Sequence, residues 1–574
     1  MILQALNRYY EDLARANKIA RPGWAKAKIS YALCINERGE LERLLPLLTT
    51  DEGGKKPRPR LIDLPAPTKR TVGIAPNFLW DNSSYLLGAD NKGKPKRSAD
   101  CFQACGRFHH QLLDGVNSPN ANAILRFFDQ WDPAKASENP ALQQEFESVI
   151  VGANLIFRVN GAFPHEDDAI KEAWQTYYSA DKGETQQCLI TGRQEVIEAV
   201  HPAIKGVTGA QSSGAALVSF NAPAFCSYGK EQNFNAPVGK SAAFAYTAAL
   251  NYLIADREHA QRIGDTSVFC WAEGAETQYQ GFSMAVLFGG PPPEGLKDND
   301  LYSALKQLAH GQSCEELRLD PNRPFYILGI APNAARLSVR FFYRDTFGRI
   351  MRNVNAHHER MEITRPSFDK FPVLPLWKML QETVNPNARD KSPSPVMAGA
   401  TARAIFSGTP YPASLLENTM LRIHAEREIT RGRAAILKAY YLRNPNEGCP
   451  EEVLTVALNE DSKNEAYALG RLFSLYEAVQ LAANPGIKAT IKDKYFNAAS
   501  TTPGAVFPTL DSLCQKHLRK LETGQRIWYE KQILRVTDIL GETYPIRLDL
   551  PRQGAFDLGY YHQTQVRYSK KEEA

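Results

Sequence analysis

The residues best suited to chemistry lie between positions 201 and 254, in HPAIKGVTGAQSSGAALVSFNAPAFCSYGKEQNFNAPVGKSAAFAYTAALNYLI. There Gly206, Gly209 and Gly214 flank a short polar tip, Gln211-Ser212-Ser213. Glycine lets a backbone turn sharply or approach a ligand closely, and amide or hydroxyl side chains both donate and accept hydrogen bonds. A functional loop over 205–214 that presents such groups at close range is therefore expected.

Two catalytic motifs are approached here, and each fails at one residue. Val238-Gly239-Lys240-Ser241 resembles the end of a phosphate-binding loop, but that motif requires a glycine where Phe234 stands. Gln211-Ser212-Ser213-Gly214 approaches a nucleophile elbow, yet Ala210 replaces its first glycine and 215–220 reads as a strand rather than a helix. What survives is a helix N-terminus capped by Ser241, with Lys240 as a phosphate-contact candidate. Cys101, Cys105 and His109 fall at i, i+4 and i+8, without the second close pair a structural zinc site requires. They are read as one buried face of a helix, and no metal or other cofactor is expected.

These groups must be positioned by a long chain. At 574 residues it exceeds one ordinary core, so at least two domains are expected. A net charge of +5 is only mildly basic, which makes any nucleic-acid surface local rather than global. Nine scattered cysteines form no disulfide framework and favour a reducing compartment. No apolar run has the length of a membrane span, and the reading is cytoplasmic.

Along the chain, an amphipathic opening helix and a strand at 28–35 lead into a basic, turn-rich segment over 55–107. There Lys69, Arg70 and Asn82 are candidate backbone contacts. Strands at 148–160 and 185–190 and helices at 169–178 and 194–200 make the pattern mixed. Strands at 325–330 and 335–344 follow. In the second, a period of two places Leu337, Val339, Phe341 and Tyr343 on a core side. The opposite side then carries Arg336, Arg340 and Arg344 around Phe342. This strip suits a phosphate backbone or a solvated face with salt bridges; Arg340 and Arg344 are retained as phosphate-contact candidates.

Proline, serine and charge mark a linker at 385–400. Beyond it helices are expected at 413–424, 433–442, 451–459 and 464–483, and after 506 and 525. Lys516, Arg519 and Lys520 lie where one long helix turns into the next, another candidate ridge. The fold class expected is α+β: a mixed α/β domain over 1–384, the linker, and a helical bundle over 401–574.

The strings GAQSSGAALVSFNAPAFCSYGKE, NAPVGKSAAFAYTAALNYL, FYILGIAPNAARLSVRFF and YFNAASTTPGAVFPTLDSL, with the opening MILQALNRYYEDLA and NFLWDNSSYLLG, closely resemble the large subunit of the type I-C CRISPR Cascade complex. That resemblance implies a noncatalytic subunit of a ribonucleoprotein with backbone and tail subunits and a CRISPR guide RNA. Such a subunit recognises the short motif flanking a target in double-stranded DNA, promotes duplex opening, and recruits a separate helicase-nuclease. On that reading Lys205 anchors phosphate and Gly209 gives close approach, while Gln211, Ser212 and Ser213, with Asn221 and Asn235 as the next amides, read base edges. Groups that both donate and accept suit the degenerate minor groove, so a short, permissive preference is expected, and Gln211 is also a candidate wedge between base pairs. The resemblance also implies that small-subunit copies of the C-terminal part arise by internal translation. The alternative is a nuclease or NTPase whose site is assembled only in the fold.

Overall fold

The computed structural model describes residues 1–49, 58–68, 73–180, 183–256, 260–274 and 276–569. Lys69 and Arg70 lie outside the described residues. The chain divides into two compact units, one made of residues 3–202 with 219–249 and the other of 203–218 with 250–574.

In the first unit the apolar run Tyr31–Ile35 is buried at every position, as a central strand must be. It pairs in parallel with Asn154–Val159 and antiparallel with Leu41–Pro46, and Trp80–Asn82 completes that sheet. A second sheet joins Trp24–Ile29, Arg58–Pro65 and Leu48–Thr49. Helices Pro95–Leu113 and Pro119–Gln130 bury Cys101, Phe102, Cys105, Ile124 and Phe127 in one core with Leu33 and Phe157. Each such fully buried large side chain contributes roughly 1.5–3 kcal/mol.

The second unit is built on an antiparallel sheet of Ala260–Ile263, Thr266–Ala272, Pro324–Asn333 and Arg336–Thr346, in that order. One face, with Val268, Phe325, Ile327 and Phe341, belongs to the same apolar core as the helices that follow. The protein is thus mixed α+β, 48% helix and 15% strand, with a helical C-terminal region.

Several elements differ from their expected form. The segment 194–200 starts not as a helix but as a strand, Gln194–Val196, paired with Thr185–Gln187. Of 215–220, only Ala215 and Ala216 make β-bridges. The helix expected at 451–459 is a single 3-10 turn, Glu451–Val453. The strand expected at 148–160 is preceded by a short helix, Phe146–Ile150, and starts at Asn154. Within 385–400 a helix already begins, Pro395–Ser407, and its Met397 and Ala398 are buried in the core of the second unit. Helix Glu465–Ala483 lies where a helix is expected, and its residues 466–479 are buried all round, as in a central bundle helix.

Candidate nucleic-acid interface

The polar loop is held by a paired neck. Ile204 and Ala215, both buried, exchange backbone hydrogen bonds, 2.9 Å from the Ile204 amide and 2.8 Å from the Ala215 amide. Asn251, on helix Lys240–Ala255, clamps the incoming strand: its Oδ1 accepts from the Lys205 amide at 2.9 Å, and its Nδ2 donates to the Ala203 carbonyl at 3.4 Å. Gly206, Gly209 and Gly214 all adopt positive φ, at 85°, 84° and 103°. At Gly214 a Cβ would lie 2.8 Å from the Ala203 Cβ, so both conformation and space demand glycine. The Gly214 amide closes the tip on the Gln211 carbonyl at 2.9 Å. Gln211, Ser212 and Ser213 are exposed, and among the described residues their side chains make no hydrogen bond. The loop therefore presents an amide and two hydroxyls whose bonding capacity is open.

The loop is seated on the hairpin formed by Pro324–Asn333 and Arg336–Thr346. Ala216 donates to the Ala335 carbonyl and accepts from the Leu337 amide, both at 3.0 Å. This joins the polar loop directly to the arginine strand. Strict alternation fails there, because a bulge intervenes: Ile330 pairs with Val339 and Gly329 with Phe341, leaving Arg340 without an opposite residue. Val339 is consequently 42% exposed instead of being core, whereas Phe341 is buried over Gly329.

The arginines are engaged. Arg340 pairs with Asp265 at 2.8 Å, both about one-third exposed. The Arg344 guanidinium lies over the Tyr326 ring, 5.6 Å from its centroid. Arg336 is half-buried and also interacts within the chain. An exposed ion pair of this kind is worth about 0.2–1 kcal/mol, so a phosphate can compete for Arg340 at little cost.

Other candidates stand elsewhere. Asn235 is in the first unit, and its amide is fully used within its own loop. Its Oδ1 accepts from the Ser227 amide at 2.8 Å, while Nδ2 donates to the carbonyls of Lys230 and Gln232 at 3.1 and 2.9 Å. It braces a loop instead of presenting its amide to a ligand. Asn221 is exposed in the same unit. Asn82 accepts from the Ser84 amide at 3.0 Å and caps a short helix. Lys516 and Arg519 are exposed at the corner between Pro503–Leu518 and Thr523–Thr537, and Lys520 donates to Asn484 Oδ1 at 3.1 Å.

The N-terminus of helix Lys240–Ala255 is already served by an acid. Ser241 sits in its first turn and, instead of capping it, donates to Glu195 Oε2 at 2.5 Å; Thr191 donates to the other oxygen. The Glu195 carboxylate packs against Gly239. A carboxylate here takes the favourable end of the helix dipole and repels phosphate, which argues against a phosphate role for Lys240.

The buried histidines are packing groups. His109 Nε2 accepts from the Leu79 amide at 2.9 Å and Nδ1 donates to the Cys105 carbonyl at 2.8 Å, leaving neither nitrogen for a metal. Burial lowers its pKa to about 4. His201 is likewise lowered to about 4 by burial, and its Nδ1 lies 2.7 Å from the Tyr246 hydroxyl, whose own pKa burial raises. Both groups are therefore held neutral and share one hydrogen bond.

Three contributors escape a reading of spacing. Asn251 interrupts an otherwise apolar helical run, and that interruption is the only sign of its clamp. Glu195 acts on Ser241 from 46 residues away. Tyr228, 99% exposed at φ +54°, carries no motif at all.

No curated protein matches the chain. Residues 6–568 match the family model of CRISPR-associated protein (Cas_Csd1), which covers nearly the whole sequence, and the chain belongs to that family.

Proposed function

We propose that this protein is the noncatalytic large subunit of an RNA-guided surveillance complex of the type I-C kind. In this reading it recognises the motif flanking a target in double-stranded DNA, promotes duplex opening and R-loop formation, and recruits a separate helicase-nuclease for antiviral defence. Membership of a CRISPR-associated family supports the setting. The observation that carries the recognition step is the tip Gln211–Ser212–Ser213, whose side chains are exposed and, among the described residues, unengaged on a loop with a fixed neck. Such groups read base edges, while cations hold backbone and set register. Arg340 and Arg344, on the strand that seats the loop, are the phosphate contacts in this scheme, with Lys205 at the loop's base. The guide RNA, backbone and tail subunits, and small-subunit copies of the C-terminal helices are its expected partners.

The test is a gel shift of the assembled complex on duplexes that differ only in flanking sequence. Binding that depends on the flank and loses that dependence in Gln211→Ala is the expected result. Equal binding to all flanks by the unaltered complex would remove flank recognition from the reading. Turnover of nucleic acid or ATP by purified protein, abolished by a carboxylate substitution, would replace it with an enzyme.

A further inference from the structure

Residues 227–230 form a tight turn in which the Lys230 amide donates to the Ser227 carbonyl at 3.0 Å. Its two central residues, Tyr228 and Gly229, both adopt left-handed backbone, at φ +54° and +69°. Turns with positive φ at both centres strongly favour asparagine or glycine at the first, because a bulky side chain is strained there. Tyrosine occupies that position although no packing requires it: the residue is 99% exposed. The strain is held by the surrounding loop. All three hydrogen bonds of the Asn235 amide fall on this turn and its neighbour Gln232. The base of the loop is anchored by buried Asn233, which donates from both its backbone and its Nδ2 to the Ala199 carbonyl, at 3.2 and 2.9 Å. A rigid loop thus displays a bare aromatic ring, and strain kept in place by its surroundings marks functional positions.

We infer that Tyr228 is a stacking residue, its ring taking the face of an unpaired nucleobase exposed when the duplex opens. This rests on the nucleic-acid reading above and adds a residue to it. A flat ring standing bare in solvent suits a planar partner, and Lys230, exposed on the same turn, suits the adjoining phosphate. Stacking on such a ring is sequence-tolerant, so this loop contributes to holding opened strands and not to reading the flank.

The test uses the full-length chain with three probes: a fully paired flanked duplex, the same duplex with an unpaired bubble beside the flank, and a matching single-stranded RNA. Tyr228→Asn relieves the turn, so the variant should melt no lower than the parent. It should nevertheless bind the bubble duplex about ten-fold more weakly while the fully paired duplex is unaffected. Tyr228→Phe should retain binding. With 5-iodouracil placed in the bubble, photocrosslinking should mark Tyr228; a crosslink from 5-iodouracil in the RNA and none from the bubble would overturn the inference. Unchanged bubble binding in Tyr228→Asn, failure of Tyr228→Phe to retain it, or crosslinks mapping elsewhere would each overturn the inference while leaving flank recognition standing. Loss of association with a protein subunit, with nucleic-acid binding intact, would equally overturn it. A parent chain that binds none of the probes would remove the nucleic-acid reading as well.

Discussion

The loop over 205–214 and the loop around Tyr228 are near neighbours in sequence and use opposite means. The first places its strained backbone on glycines, closes its neck through main-chain pairing and one borrowed amide, and leaves Gln211, Ser212 and Ser213 unengaged among the described residues. The second uses its own amide, Asn235, to hold a non-glycine residue in a left-handed turn with an aromatic ring in water. An amide can serve as a brace or as a reader, and its hydrogen bonds decide which. In the proposed function the first loop discriminates and the second holds.

Acid should break both scaffolds before it reaches either loop, so the comparison belongs at pH 7 or above. Burial lowers the pKa of His109 and His201 in the first unit and of His358 and His562 in the second to about 4, against an unfolded value of 6.5. The unfolded chain therefore takes up protons first. Stability present above pH 6.5 is lost as pH falls toward 4, by up to about 1.4 kcal/mol per unit for each group. Asp557, buried with neither carboxylate oxygen hydrogen-bonded and raised well above its usual range, pulls the other way, as do Glu382, raised by burial, and His110, raised against its burial by Asp114 and Asp129. Melting temperatures measured from pH 7 to 5 should fall; a flat profile would show that these histidines are not held neutral.

Gly214→Ala should be the most damaging single change to the first loop. It forces alanine to φ +103° and against Ala203, costing about 2–3 kcal/mol. Hydrogen exchange at the Ile204 and Ala215 amides reports it. Protection equal to the parent would mean that the neck does not depend on this glycine.

Gln211→Ala should cost about 1–3 kcal/mol of flank discrimination while changing stability by less than about 0.5 kcal/mol, because the side chain holds nothing in place. Asn235→Ala should invert that pattern. Flank discrimination stays, but the Tyr228 loop loses about 1–2 kcal/mol and its Ser227 amide exchanges faster. If both amides behaved alike, the division into reader and brace would fall.

The smallest effect concerns the strand beneath the first loop. Asp265→Ala frees Arg340 from an exposed ion pair, changing stability by less than about 1 kcal/mol and strengthening binding to all duplexes alike. The double substitution Arg340→Ala and Arg344→Ala should weaken all sequences alike and make the salt dependence shallower by about one to two in slope. An unchanged slope would mean that the arginines serve only Asp265 and Tyr326.

Local pattern alone determined much of this molecule. The glycine spacing around Gln211, the hairpin strands near 325–344, the buried face of Cys101, Cys105 and His109, and the helical C-terminal region all depend on residues a few positions apart. Backbone conformation and side-chain periodicity are set at that range. Tertiary structure decided the rest. Asn235 and Gln211 are chemically equivalent amides in similar segments, and only the closed turn at Ser227 engages one of them. The bulge at Arg340 arises from pairing with a neighbouring strand and moves Val339 out of the core. Glu195 reaches a helix N-terminus 46 residues on, and Glu465–Ala483 is enclosed by helices that come later in the chain. Each of these is a contact between groups brought together by folding, and residue type alone does not specify the partner.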